Sequence, residues 1–122
     1  MKLFPHIIIS LAVVVTGCVN VNTASDVAEE NIPMPPPQLW SDHMRLDLSV
    51  KACASKGLRT LKSLSYTGAV QNGNFSYGNF GSNRAAVKCV EDGDGSFVYV
   101  MVAGPDKKTV EGLRNDLVRQ MR

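Results

Sequence analysis

A chain of 122 residues, 44% hydrophobic and 20% charged, has room for one small globular domain and little more. Its formal net charge of +2 excludes the strongly basic balance that is typical of nucleic-acid-binding proteins, so nucleic acid is not an expected partner. Three cysteines without CxxC spacing and two histidines are too few and too scattered for the usual structural metal sites, so no metal is expected.

The first 17 residues have the three-part layout of a secretory signal peptide. Lys2 supplies the positive start, the stretch 7–15 is densely apolar, and the small residues Thr16 and Gly17 follow it. A bilayer-spanning helix needs ~20 apolar residues, and this run is about half as long. A cleaved signal is therefore favoured over a retained transmembrane helix, and secretion without an anchor is the other alternative.

The apolar stretch ends in the motif Val15-Thr16-Gly17-Cys18. Directly after a signal-like segment, this motif resembles the lipobox of bacterial lipoproteins. The resemblance implies that Cys18 is lipidated, becomes the new N-terminus and holds the protein on a membrane. It also implies the outer membrane of a Gram-negative cell, with the domain in the periplasm, because Val19 stands where that family uses Asp for inner-membrane retention. An anchor of two or more acyl chains is essentially permanent.

Residues 18–40 have the composition of a tether. The segment carries the acids Asp26, Glu29 and Glu30, has no basic residue and no regular apolar period, and then becomes Pro-rich. Polyproline-like chain rises ~3.1 Å per residue, so we expect the segment to space the domain from the membrane. The alternative is a Pro-rich ligand for an aromatic groove on a partner.

Residues 41–122 are expected to form one small α+β domain. Apolar and polar residues alternate from 44 to 50, which favours an edge strand, with the early part of a helix as the alternative. Residues 50–64 then carry apolar side chains at the i, i+3, i+4, i+7 spacing of an amphipathic helix. Ser49 is the expected N-cap of this helix, and Gly57 is expected to let a strand approach it closely.

Further strands and a last helix follow. The strands are expected at 66–71, 74–80, 85–91 and 96–103. An Asn72-Gly73 pair marks the first hairpin turn, and Asp106 is the expected N-cap of the final helix. The last strand has apolar residues on both sides, which indicates a central position. The pattern predicts a small antiparallel sheet of three to five strands with two helices packed on one face.

The cysteines predict one disulfide bond. Lipidation would use Cys18, which leaves Cys53 and Cys89 as a pair in an oxidising compartment. The bond would close a loop of about 36 residues and attach the first helix to the strand that carries Cys89.

The sequence contains no recognisable catalytic set, so an enzyme is not expected and neither is a cofactor. The domain has one histidine, His43, and it lacks both a Gly-x-Ser-x-Gly elbow and a phosphate-binding glycine motif. A hydrolase stays open only if His43 packs against a nucleophile in a cleft. The acidic run 91–95 is a weak candidate for calcium because it lacks the spacing and the distal Glu of an EF-hand loop.

Two surfaces are candidates for binding. The segment 72–84 combines four Asn with three aromatic residues, a mixture that suits glycans and protein interfaces. Its candidate residues are Tyr77, Asn79, Phe80 and Arg84. The structural alternative is a twisted hairpin whose turns require Asn and Gly. The second surface is the basic side of the first helix, formed by Lys51, Arg59 and Lys62.

The expected function is that of a non-enzymatic, membrane-anchored envelope lipoprotein that binds a protein partner as an accessory or inhibitory module. The alternative is a module that binds peptidoglycan or another glycan through the segment 72–84. Residues 41–122 carry 12 Lys and Arg against 8 Asp and Glu. This modest excess suits anionic partners, but an ordinary solvated surface is the favoured account.

Overall fold

The computed structural model describes residues 33–122. The expected signal peptide 1–17, the lipidation site Cys18 and the first part of the tether lie outside the described residues. The elements in chain order are β1 (Gln38–Leu46), α1 (Val50–Ser63), β2 (Thr67–Asn72), β3 (Phe75–Phe80), β4 (Asn83–Asp92), β5 (Gly95–Gly104) and α2 (Lys107–Met121). This composition confirms the predicted α+β class.

The five strands form one antiparallel sheet in the order β1-β5-β4-β3-β2. The last four strands follow one another as hairpins, whereas β1 pairs with β5, its most distant strand in the chain. The sheet edges are therefore β1 and β2, and β5 lies inside the sheet as its apolar residues indicate. Both helices pack on the same face, as predicted.

The first strand begins at Gln38, three residues before the predicted start of the domain at 41. The structure thus assigns Leu39 and Trp40 to the sheet instead of the tether, because the alternation of exposed and partly buried side chains already begins there. Trp40 packs against the core. Residues 33–37 have neither helix nor strand. An edge strand is present as predicted, but it covers Gln38–Leu46 instead of 44–50, because Val50 already begins α1.

Both helices begin at their expected caps. The Ser49 hydroxyl accepts a hydrogen bond from the Ala52 N–H at 3.2 Å, and the Asp106 carboxylate accepts one from the Thr109 N–H at 2.8 Å. These bonds satisfy N–H groups that have no partner inside the helix. Hydrogen bonds from the Thr109 hydroxyl and N–H also hold the pKa of Asp106 below its ordinary value. Within the described residues, neither helix has the length and apolar character needed to cross a bilayer.

The three hairpins share one turn chemistry. Each loop has two residues, the first of which is a glycine at positive φ: Gly73 (58°), Gly81 (56°) and Gly93 (61°). Glycine at this position is the pattern of a type II′ turn, whose twist matches that of the adjoining strands. The predicted first turn, Asn72-Gly73, is one residue too early, because Asn72 is the last residue of β2.

The core lies between the sheet and the helices. Its fully buried side chains include Cys53, Leu61, Val87, Cys89, Val98, Val100, Val102, Val110, Leu117 and Met121. A Cβ added to Gly57 would lie 3.1 Å from Val87 Cγ1, so the predicted close approach between this helix and a strand is confirmed. Cys53 and Cys89 form the predicted disulfide, which attaches α1 to β4.

Candidate functional site

The sheet face opposite the helices is not covered by any element of the described chain, and we call it the open face. It consists of the outward side chains Leu39, Ser41, His43 and Arg45 on β1, Phe97, Tyr99, Met101 and Ala103 on β5, Arg84, Ala86, Lys88, Val90 and Asp92 on β4, Phe75, Tyr77 and Asn79 on β3, and Val70 and Asn72 on β2. Because an apolar sheet face is normally packed against another layer, this composition makes the open face a candidate binding surface.

Large exposed hydrophobic side chains are concentrated on the open face. Five of the seven found among the described residues lie there, namely Leu39, Val70, Phe75, Val90 and Tyr99. Their relative exposures run from 37% to 69%. Scattered exposed hydrophobic residues are normal on a protein surface, whereas a contiguous patch is typical of an interaction site.

Three rings form a cluster where β1 meets β5. His43 stacks on Phe97 with ring centroids 5.3 Å apart, and Phe97 meets Tyr99 edge-on at 5.0 Å. In the described residues the His43 ring is stacked on aromatic rings and makes no hydrogen bond to a hydroxyl or thiol. The hydrolase hypothesis depends on His43 packing against a nucleophile in a cleft. In the structure, aromatic rings occupy that position instead.

Two cations of the open face lie over aromatic rings. Lys88 Nζ is 4.0 Å from the centroid of the Phe75 ring, and Arg84 Cζ is 5.2 Å from that of Tyr77. Lys88 also donates a hydrogen bond to Asn74 Oδ1 at 3.0 Å. Neither cation forms an ion pair within residues 33–122. Both charges are therefore available to an anionic group that approaches this face.

The Arg45 charge, by contrast, is already paired. Its guanidinium contacts the carboxylates of Asp47, Asp92 and Asp94 at 2.9–3.0 Å. Hydrogen bonds to Asp92 and Asp94 raise the pKa of Arg45. Asp92 and Asp94 of the acidic run considered for calcium are therefore paired with an arginine. In the part of the chain that the structure describes, no group of three or more His, Cys, Asp or Glu could hold a metal ion.

The structure separates the four candidate residues of the segment 72–84. Tyr77, Asn79 and Arg84 all lie on the open face, where Asn79 and Arg84 are register partners. Phe80 lies on the helix side, because successive strand residues point to opposite sides of the sheet. Its ring packs 5.5 Å from that of the buried Tyr66.

The basic side of α1 lies on the opposite side of the domain from the open face. Lys51, Arg59 and Lys62 are all exposed on this helix. Lys51 also lines a cleft of about 690 Å³ beside the β2–β3 turn. This cleft is wide open and contains one cation and no aromatic ring, so it offers a ligand fewer contacts than the open face does.

Sequence reasoning missed the half of the open face that β1 and β5 provide. His43, Phe97 and Tyr99 belong to it, and none was a binding candidate. The alternation of Phe97, Tyr99 and Met101 with valines was a usable signal. Apolar residues on both sides indicate a central strand, and β5 does lie inside the sheet, but the two helices cover only its valine side.

The fold and the open face place the chain among small α+β proteins with an antiparallel sheet and helices on one side. Among solved structures, the crystal structure of CalU16 from Micromonospora echinospora is similar, with a TM-score of 0.51 and 12% sequence identity over 74% of this chain and 80% of that chain. At this identity the likeness concerns the fold alone. No family model and no curated protein matches the chain.

Proposed function

We propose that this protein is a non-enzymatic envelope lipoprotein, held on the outer membrane through Cys18, whose domain binds another protein in the periplasm. The open face is the proposed contact surface, and the role is that of an accessory or inhibitory module. The observation that carries the proposal is the concentration of exposed hydrophobic and aromatic side chains on one uncovered sheet face. The signal-like leader and the lipobox resemblance at Cys18 support the anchor.

The dimensions of the open face support a protein partner. Five strands spaced ~4.8 Å apart span roughly 20 Å, and the four outward positions on each of the longer strands β1 and β5 span roughly another 20 Å. The resulting face covers a few hundred Å², of which the exposed hydrophobic and aromatic side chains form a part, and large exposed apolar patches are often functional. Its aromatic residues, its Met and its Arg are residue types enriched in protein interfaces.

Photocrosslinking in living cells tests the proposal. A photoreactive residue replaces Tyr99, which lies on β5 in the open face, and a matched variant carries it in place of Arg59 on the helix side. We expect a discrete crosslinked protein from position 99 and none from position 59. Mass spectrometry of the crosslinked band identifies the partner.

The outcome contradicts the proposal if position 99 gives no crosslinked protein, or if positions 99 and 59 give the same pattern. A third variant at Val90 guards against an unfavourable position of the probe. The three variants must retain the thermal unfolding midpoint of the parent protein, because an unfolded domain would crosslink without selectivity.

A glycan-binding module is the second candidate, because Tyr77, Asn79 and Arg84 lie together on the open face. An aromatic ring beside amide and guanidinium donors can stack on a sugar and hydrogen-bond to its hydroxyl groups. Retention on purified peptidoglycan should then be lost in Tyr77→Ala. Unchanged retention in this variant removes the glycan proposal. Phe80→Ala is unsuitable for this test because Phe80 packs on the buried Tyr66.

A further inference from the structure

Ala86 on β4 lies at the centre of a socket on the open face. Its neighbours on the same side of the strand are Arg84 and Lys88, and its register partners on the adjoining strands are Met101 and Tyr77. All four side chains are much larger than a methyl group. The Ala86 methyl group therefore lies at the bottom of a depression. Two cations border the depression along the strand, and Met101 and Tyr77 border it on the adjoining strands. We call this arrangement the Ala86 socket.

A shallow hollow adjoins the floor of the socket on its β5 side. It has a volume of about 220 Å³ and is lined by Leu39, Arg84, Ala85, Ala86, Met101 and Ala103. Every lining residue except Arg84 is apolar. A branched aliphatic side chain from a partner could occupy this hollow, with Arg84 at its rim.

We infer that the Ala86 socket binds an extended peptide segment of the pattern acid-x-apolar-x-acid on the protein partner, an inference that rests on the proposed function. Residues i, i+2 and i+4 of an extended chain lie on one side and span ~13 Å. Arg84, Ala86 and Lys88 have the same spacing. A segment running along β4 would therefore place its central side chain over Ala86 and its two carboxylates near Arg84 and Lys88.

The charge distribution favours an acidic peptide over a second copy of this chain. In the described strands, Asp92 is the one carboxylate on the open face, and it is paired with Arg45. If two copies met with their Ala86 sockets facing each other, Arg84 and Lys88 of one copy would lie near the same cations of the other. Neither cation has a carboxylate partner within residues 33–122. Such like-charge contacts are unfavourable at an interface.

Three labelled peptides test the inference with the full chain purified in detergent. The first is Thr-Glu-Thr-Leu-Thr-Glu-Thr, which has the required pattern. The second, Thr-Thr-Glu-Leu-Glu-Thr-Thr, has the same composition but places its acids opposite the leucine. The third has lysines in place of both glutamates of the first. Since two exposed ion pairs distinguish the peptides, fluorescence anisotropy should show about tenfold tighter binding of the first peptide than of the other two.

Variants of the protein provide the second half of the test. The charge reversal Arg84→Glu/Lys88→Glu should abolish the preference for the first peptide and favour the lysine peptide. The matched control Lys51→Glu/Lys62→Glu makes the same change in net charge on the helix side and should keep the preference. Asp26→Asn/Glu30→Gln is a further control, because Asp26, Ala28 and Glu30 have the inferred pattern in this chain's own sequence. The first peptide should bind at least as tightly to that variant.

Several results would overturn the inference. These are the absence of binding of the first peptide to the wild-type chain, equal binding of the two isomeric peptides, and an equal loss of preference in the helix-side control. A wild-type dimer in sedimentation that Tyr99→Glu converts to a monomer would assign the face to a second copy instead. Position 99 would still crosslink a protein partner if only the peptide pattern were wrong, so failure of the inference is distinguishable from failure of the proposed function.

Discussion

Tyr66 shows how burial changes the chemistry of a single residue. Its side chain is 5% exposed, and its hydroxyl makes no hydrogen bond within the described residues. Desolvation, with a smaller contribution from Asp116, raises the pKa of Tyr66 to about 12. The sequence contains nothing that distinguishes this tyrosine from Tyr77 or Tyr99, because burial depends on how the helices pack.

We predict an alkaline loss of stability that depends on Tyr66. Above pH ~10 the unfolded chain loses the phenol proton whereas the native state keeps it, so the free energy of unfolding falls as the pH rises from about 10 towards 12. Urea unfolding across this range should show a shallower fall for Tyr66→Phe than for the wild type. Tyr77→Phe, on the open face, is the control. Identical slopes for Tyr66→Phe and the wild type would contradict the assignment.

At the scale of elements, the glycines of the sheet and of the helix have different roles. Gly73 is in the left-handed region at a hairpin turn, whereas Gly112 lies exposed in α2 with open space where a Cβ would lie. An L-residue in the left-handed region is strained, and a glycine inside a helix is entropically unfavourable. The same substitution should therefore have opposite effects at the two positions.

The pair Gly73→Ala and Gly112→Ala tests this expectation. Gly73→Ala should lower the free energy of unfolding by about 1–2 kcal/mol because of backbone strain. Gly112→Ala should raise it by roughly 0.5–1 kcal/mol because alanine restricts the unfolded chain and favours the helix. Chemical denaturation of both variants in parallel is the measurement. If both substitutions changed the free energy of unfolding in the same direction, the assigned backbone conformation of Gly73 or of Gly112 would be wrong.

The disulfide joins two elements that are far apart in the chain. Cys53 on α1 and Cys89 on β4 are both fully buried, and their sequence separation is 36. A loop of this length corresponds to roughly 3–4 kcal/mol in the chain-entropy description of disulfide stabilisation. A small domain with one core depends strongly on such a cross-link.

We therefore predict that Cys53→Ala/Cys89→Ala lowers the free energy of unfolding by about 3–4 kcal/mol. Guanidinium titration of the variant against the oxidised wild type measures the difference. Reduction of the wild type should reproduce most of the loss, which separates the effect of the bond from that of the substituted side chains. A variant as stable as the oxidised protein would refute the expectation.

At the scale of the whole molecule, the anchor remains a prediction from residues that lie outside the described part of the chain. Metabolic labelling with a radioactive fatty acid should mark the wild-type protein and fail to mark Cys18→Ala. The acyl chains should also hold the wild-type protein in the membrane fraction, whereas Cys18→Ser should be released after secretion. A label that persists in the alanine variant would place the acyl chain elsewhere or indicate another mode of attachment.

Local patterns were sufficient to predict most elements of the domain. The caps Ser49 and Asp106 and the Cys53–Cys89 bond were all confirmed. Each depends on chemistry within a few residues or on the small number of cysteines. The first turn was misplaced by one residue, since both Asn72-Gly73 and Gly73-Asn74 are good turn sequences. Only strand register distinguishes them.

Only half of the open face, the proposed binding surface, was predicted, and the physical reason is non-local packing. The alternation of residues along a strand shows which side chains share a side of the sheet. It does not show which side the helices will cover, nor that β1 lies next to β5. The sequence by itself determined most of the elements, the caps and the disulfide, because these follow from local propensity and cysteine count. The tertiary structure decided that the helices cover the valine side of β5, which leaves its aromatic side exposed together with His43, Arg84 and Lys88 on one open face.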